Sequence, residues 1–333
     1  MQAKRYLAFT SVVITLVVFL AGLFWLGLFS YSAVPVSAFE ALHALFEPNS
    51  TQMAHIVVMD IRLPRVLEAG IIGAALACAG ALMQALTRNP LASPSLFGVN
   101  AGAALGMALV ATFFVASSPI STQAAAMLGG FGAWVLVMIL GGAWKMGSER
   151  GQLVLAGIAI SALLGALTKA CVILVEDQAI AVMGWLAGSF ANAGWDTWRA
   201  SWPILLPALL GGFILAPKVN LLVMGDERVK SLGVNLSLLR GLIALVVLLL
   251  VGISVSSVGA IAFVGLIVPH MARALVGYDY RLVLPVSMLI GAGLTIGADV
   301  LSRAVTFPTE TPAGAVLALI GAPCFLYLVR RKA

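Results

Sequence analysis

The chain has 333 residues, of which 62% are hydrophobic and 10% charged, and its mean hydropathy is +1.08. Soluble domains carry about a quarter of charged residues, so this composition excludes a soluble globular protein. The net charge of +6 sits in loops between apolar runs and reads as membrane topology rather than nucleic-acid affinity.

Runs of about 20 apolar residues recur along the chain, the length a helix needs to cross a hydrocarbon layer of about 30 Å. They predict an all-α polytopic membrane protein, a single domain over 1–333. Ten spans are expected, near 7–29, 64–86, 96–116, 124–143, 153–175, 201–217, 240–257, 258–269, 282–301 and 312–329.

Lys4 and Arg5 precede the first run, which is too long for the core of a signal peptide and reads as a span. Asn49-Ser50-Thr51 matches a glycosylation tripeptide, a pattern that carries almost no weight alone. Arg62-Leu63-Pro64-Arg65 then heads the second span, and a proline-bounded turn, Gln84 through Asn89-Pro90 to Pro94, closes it. Guanidinium groups at a membrane end need headgroups, water or a partner's carboxylates, so a docking partner is expected at Arg62 and Arg65. Within the span, Ala69, Gly73, Ala77 and Ala81 recur every four residues, a face suited to close helix approach.

Cys78, Cys171 and Cys324 each stand alone in apolar runs, and His43, His55 and His270 are scattered. Neither a disulfide framework nor a metal site is legible. Lys169, toward the outer end of its span, reads as a snorkelling or locally paired side chain. Trp185, Trp195, Trp198 and Trp202 cluster in the segment 176–202, which predicts an interfacial stretch with a helix on the outer surface.

The substantial polar insert on the cytoplasmic side covers about 224–240 and reads as two short helices. Asp226 and Glu227 suit a first turn and Lys230 a last. Gly233 suits the left-handed position after a helix, and Asn235 can cap the next one. The 29 residues between Arg240 and His270 are long for one span and short for two. Two spans, broken near Gly252–Gly259 and ended by Pro269, put Lys4, Arg5, Arg88, Lys145, Arg150, Lys218, Arg228, Lys230, Arg240, Arg273, Arg281, Arg330, Arg331 and Lys332 on one side. Both termini are then cytoplasmic. Arg62, Arg65, Arg199 and Arg303 remain outside as exceptions.

No phosphate-binding G-x-x-x-x-G-K-[S/T] motif occurs, so any ATP would be bound by a partner. The alternative is an ion-coupled secondary transporter of a small solute, which would need ionisable groups at mid-membrane. Lys169, Glu68 and Asp299 are the few candidates, and Asp299 and Glu68 also offer local partners to Arg303 and Arg65. Tyr278-Asp279 and Gly297-Ala298-Asp299 faintly resemble the aspartates of intramembrane proteases. Twenty residues of helix hold those carboxylates about 30 Å apart, which excludes a shared proton.

Read together, Arg62-Leu63-Pro64-Arg65, Gly80, Gln84, Asn89-Pro90-Leu91-Ala92-Ser93-Pro94, Gly98 and Leu232-Gly233 resemble the FecCD-type permease subunits of ABC importers for iron chelates and cobalamin. Gly259 through Pro269 to Arg273, Leu284-Pro285, Ala298-Asp299, Pro312-Ala313-Gly314 and Gly321-Ala322-Pro323 extend the likeness over essentially the whole chain. Tyr31–Ser37 and Leu91–Leu96 are most similar to the ferric dicitrate members.

The resemblance implies a ten-helix type II permease of the bacterial inner membrane, paired with a second permease subunit that is a paralogue or an identical chain. Two ATPase subunits, which hold ATP and magnesium, and a periplasmic binding protein complete the assembly; this chain itself binds no cofactor and no nucleic acid. It assigns binding-protein docking to Arg62, Arg65 and Arg303. ATPase coupling falls to Asp226, Glu227, Arg228, Lys230, Leu232, Gly233 and Asn235. Gln84, Asn89, Pro90, Pro94, Gly98 and Pro269 are motif and turn positions, and Lys145, Ser148, Glu149 and Gly151 lie near an inner gate.

Overall fold

The computed structural model describes residues 2–94, 98–113, 122–141, 150–174 and 182–330, all helix or connecting backbone, with no strand among them. The first span is α1, Gln2–Phe29. A short helix, α2 (Ala38–Phe46), follows between the first two expected spans. Its start is set by a capping box: Ser37 Oγ accepts from the Glu40 amide, and the Glu40 carboxylate accepts from the Ser37 amide at 2.8 Å.

The second span is longer than expected. Helix α3 (Met53–Ile56) runs through a π-helical segment, Val57–Arg62, into α4 (Leu63–Thr87), one apolar run of 35 residues. A π turn shifts the hydrogen-bond ladder, so its carbonyls look for other donors. Trp195 Nε1 supplies one, donating to the Met59 carbonyl at 2.9 Å.

Then come α5 (Val99–Phe113), α6 (Thr122–Leu140), α7 (Arg150–Leu174) and α8 (Trp195–Met224). Residues 182–186 are the only described helical piece of the expected surface helix, and Trp195, Trp198 and Trp202 belong to the spanning α8 instead. The elbow is α9 (Asp226–Ser231), followed by α10 (Leu236–Val258), α11 (Val264–Val276), α12 (Tyr280–Val305) and α13 (Ala313–Arg330). Seven described helices are long and apolar enough to cross a membrane; three shorter apolar ones, Val99–Phe113, Val264–Val276 and Ala313–Leu326, bring the number to the ten expected.

Two landmarks orient the bundle. At one end Arg65 of α4 meets Asp299 of α12; at the other, Arg88 just after α4 meets Asp226 of the elbow. Asn220, near the end of α8, accepts from the Tyr280 amide at 2.8 Å and donates to Asp279 at 2.6 Å, so α12 starts at the elbow end. Helix α10 also starts there. The chain between them must therefore cross and return, which makes α10 and α11 two separate crossings.

The break falls at residues 259–263, just beyond Gly252–Gly259. Gly259 has φ +79°, a conformation only glycine adopts freely, and a Cβ there would overlap the Trp185 carbonyl. Irregular backbone inside a membrane must be covered by protein. Here Ser189 N donates to Val258 O at 2.9 Å and Gly314 N to Gly188 O at 2.9 Å, which packs the break between neighbours.

Pro269 does not end α11, contrary to expectation: it is buried inside the helix, which continues to Val276. Proline cannot donate to the carbonyl four residues back, here Gly265. Gln84 Nε2 reaches that carbonyl at 3.4 Å and Leu266 O at 3.2 Å, while Gln84 Oε1 accepts from Arg273 at 2.6 Å. One buried amide thus makes the interior proline tolerable.

The small-residue face of α4 performs as its spacing predicts. Ala69, Gly73, Ala77 and Ala81 are all buried. Gly73 lies so close to Gly291 of α12 that a Cβ on either would overlap the other's carbonyl, and Thr295 Oγ1 donates to Ala69 O at 2.7 Å. Van der Waals contact at this range is what holds membrane helices together.

Candidate functional site

The arginine end. Arg62, Arg65 and Arg303 come together with Asp299 and Glu310, three cations to two carboxylates. Arg65 is 4% exposed and grips Asp299 Oδ1 through Nε at 2.9 Å and Nη2 at 2.7 Å. Its Nη1 meets both oxygens of Glu310, at 2.9 and 3.1 Å. The guanidinium fork suits this double engagement, which a lysine could not copy.

Arg303, 1% exposed, pairs with Asp299 Oδ2 at 3.2 Å and donates to Ser30 O at 2.8 Å and Gly27 O at 3.2 Å. The pairing expected from four-residue spacing is present. The pairing of Arg65 with Glu68 is not: Glu68 is fully buried and accepts from Ser201 Oγ at 2.6 Å.

Arg62 differs from both. It closes the π segment, is 5% exposed and donates through Nη2 to the Tyr31 carbonyl at 3.1 Å. Its Nε and Nη1 meet no hydrogen-bond partner among the described residues. A buried guanidinium with two idle donors, in a cluster carrying one excess positive charge, can receive an anion. Glu310, by contrast, is a third exposed, on the loop between α12 and α13.

The elbow end. Val234 N donates to Val229 O at 3.2 Å and Gly233 N to Lys230 O at 3.0 Å, with Gly233 at φ +73°. These bonds make a Schellman closure, and they require glycine at that position. Asn235 Oδ1 then accepts from the Leu238 amide at 3.0 Å and caps α10. The insert thus holds one short helix, α9, and the capped start of the span α10, where two short helices were expected. Glu227, Arg228, Lys230, Leu232, Gly233 and Asn235 are exposed, as a surface for a partner requires.

Asp226 is placed otherwise. It is bracketed by Arg88, which pairs with Oδ1, and by Arg240, 2.8 Å from Oδ2. Arg88 Nε also donates to Leu222 O at 2.9 Å. Arg88 takes a left-handed conformation as the cap of α4, and the turn after it closes by Ala92 N to Asn89 O at 3.1 Å and Leu91 N to Asn89 Oδ1 at 2.9 Å. Two motifs far apart in sequence, the 84–94 turn and the elbow, thus form one unit. Pro90 lies exposed in the turn, and the Pro94 ring rests against Gly265.

Gly98, at φ +74°, sits among Ala133, Val137 and Ile160. Lys145, Ser148 and Glu149 lie outside the described residues, and Gly151 falls in the first turn of α7. Lys169 is exposed on α7. Sequence reasoning missed Glu310 and Arg88, each acting across a long sequence separation, and Arg240, which reaches Asp226 across the 14 residues of the elbow.

The chain is 50% identical, over 93% of its length and 94% of the relative's, to the Fe(3+) dicitrate transport system permease protein FecC of Escherichia coli (strain K12). It is 40% identical to the Fe(3+)-citrate import system permease protein YfmD of Bacillus subtilis (strain 168), over 96% and 94%. Among solved structures it matches a metal-chelate type ABC transporter in an inward-facing conformation, at TM-score 0.83 and 30% identity, over 97% of this chain and 99% of that one. The model of the FecCD transport family matches residues 14–331, nearly the whole chain, and with the crossing pattern and the motifs in their places the protein belongs to that family.

Proposed function

We propose that this chain is the permease subunit of an ATP-driven importer that passes a ferric chelate, ferric citrate first among them, from a periplasmic binding protein into the cytoplasm. The observation that carries the reading is the two-ended construction of α4. Its head holds a buried arginine cluster with one charge in excess, and its foot is tied by Arg88 to an exposed elbow. Helix α4 is buried along most of its length, so it can carry displacement from one end to the other as a rigid element.

In this reading the acidic surface of the binding protein meets the arginine end. Arg62 has two unsatisfied donors, Nε and Nη1, and Arg65 is reached by displacing Glu310, while Arg303, paired with Asp299, adds its charge to the cluster. At the other end, Glu227, Arg228, Lys230, Leu232, Gly233 and Asn235 form the face that meets the ATPase, and Asp226 holds that face to the bundle. Closure of the ATPase pair on ATP moves the elbow, and the helices rearrange to switch access of a path shared with a second permease subunit. Residues 145–151 belong to the inner gate. The elbow end and both termini face the cytoplasm, by the bias of Arg228, Lys230, Arg240, Arg273 and Arg281.

The test is uptake of radiolabelled iron, offered as citrate and as other chelates, by cells that lack the chain and by cells that regain it as wild type or Arg62→Glu. Uptake from ferric citrate restored by wild type and lost in Arg62→Glu, with the variant at normal membrane level, supports both substrate and docking. Restored uptake from another chelate alone overturns the citrate assignment. Undiminished uptake in Arg62→Glu overturns the docking role.

A further inference from the structure

Helix α2 divides its nine residues among three environments. With 3.6 residues per turn, positions 39, 42 and 46 share one side of a helix. Phe39, Leu42 and Phe46 occupy it and are 75%, 43% and 78% exposed. On the opposite side Ala41 and Ala44 are fully buried against the bundle. Glu40 and His43 line the third side, both exposed, and the exposed cap residue Glu47 joins them, its carboxylate 3.3 Å from His43 Nε2. Water on one side and protein on another account for two faces; two phenylalanines left almost bare need a third neighbour.

The depth of α2 says which. Trp25 Nε1 donates to the Ala38 carbonyl at 3.3 Å and so ties the first residue of α2 to α1. Trp25 stands four residues before Phe29, which places that tie about 6 Å inside the end of the first span. The span itself is 11% buried, and Val18, Phe19, Trp25 and Leu26 leave large apolar areas uncovered, as a lipid-facing helix does. The stripe on α2 therefore starts at the level of an indole anchor and extends a surface that already faces lipid.

We propose that α2 is an anchor lying in the headgroup boundary of the leaflet at the arginine end. Phe39, Leu42 and Phe46 enter the upper acyl region, and Glu40 and Glu47 face water. An amphipathic helix with bulky apolar residues on one side and charges on another is built for that plane. The anchor also has a bearing on the arginine cluster. Tyr31, whose carbonyl receives Arg62, lies on the short connection between α1 and α2, so lipid contact by α2 fixes where that carbonyl stands relative to the bilayer.

The experiment uses the full chain assembled with its partner subunits in phosphatidylcholine–phosphatidylglycerol nanodiscs. In a Cys324→Ala background, where Cys78 and Cys171 remain buried, single cysteines at 39, 40, 42, 46 and 47 carry nitroxide labels. Collision with oxygen should exceed collision with a water-soluble nickel chelate at 39, 42 and 46, and the order should reverse at 40 and 47. Equal nickel access at 39, 46 and 47 would place the stripe in water and overturn the anchor. Immobile labels reached by neither reagent would assign the face to a second copy or another protein, and would overturn it too. Because labelling removes the phenylalanines, the unmodified chain is also photolysed with lipids carrying a diazirine near the acyl carbonyl. Adducts on the peptide containing 38–46 are expected; adducts on α1 with none on α2 would reject the proposal.

Discussion

Arg65 and Glu310 meet through both carboxylate oxygens, at 2.9 and 3.1 Å, across 245 positions of sequence. The arginine is buried and already engaged with Asp299, whereas the glutamate is partly exposed on a surface loop. Glu310 is thus the replaceable partner. It occupies the arginine as an incoming carboxylate would.

Glu310→Gln is therefore expected to cost modest stability, about 1 kcal/mol, because Arg65 keeps both bonds to Asp299 and the amide oxygen can still accept from Nη1. It adds one positive charge to the arginine end. Binding of an acidic binding protein should tighten several-fold at low ionic strength and the gain should shrink above the screening range of about 0.15 M salt. Titration of the reconstituted complex with the binding protein at two salt concentrations checks this. Weaker binding in the variant would mean that Glu310 positions Arg65 rather than competing for it.

Asp299 is the opposite case. It is 1% exposed and is shared by Arg65 and Arg303, so Asp299→Asn leaves two buried guanidinium groups facing each other with only Glu310 between them. Breaking a buried pair in this way costs about 3–5 kcal/mol. A large fall in the thermal midpoint of the purified protein, and loss of protein from the membrane, are expected.

What the sequence disclosed divides by range. The Schellman closure at Gly233, the Asn235 cap and the Arg303–Asp299 pair were legible because each is written within a few residues. The Ser37-x-x-Glu40 box is equally local and could have revealed α2, but its apolar positions were too few to stand out beside full-length spans. Arg65–Glu310, Arg88–Asp226 and the rescue of Pro269 by Gln84 were not legible, since separations of 245, 138 and 181 residues leave no local pattern. Pro269 misled for a physical reason. A proline ends a helix unless something else satisfies the carbonyl it abandons, and that donor lies on another span.

The Gly73–Gly291 approach predicts a steep size limit. Gly73→Val would drive its side chain into Gly291 and Thr295 and force α4 from α12, with a loss of more than about 3 kcal/mol. Gly22, with open space around it, should tolerate alanine. Comparing thermal midpoints of the two variants in one detergent separates close packing from a general dislike of glycine replacement.

Helix α2 carries a pH dependence of known sign. The backbone bond from Ser37 and then its hydroxyl hold the Glu40 carboxyl below its ordinary range, with His55 contributing in the same direction. A group lowered in the folded state stabilises at pH above its unfolded value and loses that contribution as pH falls through the folded one. Helix α2 should therefore stay capped at neutral pH and fray below about pH 4. Glu40→Gln is the control: amide exchange of 38–46 should lose most of its dependence in the acid range. Unchanged acid-range dependence would show that the Glu40 cap is not its source.

Asp226 is the test of how the elbow is held. Arg88 and Arg240 both reach it, and all three groups are partly exposed, so each pair should contribute only about 0.5–1 kcal/mol to stability. Their mechanical effect should be larger, because they join the foot of α4 to the helix that a partner would push. In a double-mutant cycle of Arg88→Met and Asp226→Asn, the second substitution should cost only what the Arg240–Asp226 pair is worth once the first is present, since the Arg88–Asp226 bond is already gone. Each single variant should fold and reach the membrane, yet transport iron more slowly at unchanged binding-protein affinity. That combination, intact docking with slowed transport, distinguishes a broken link between elbow and bundle from a damaged arginine end. Normal transport in both single variants would show that the elbow passes its motion through the α8 and α10 backbones instead.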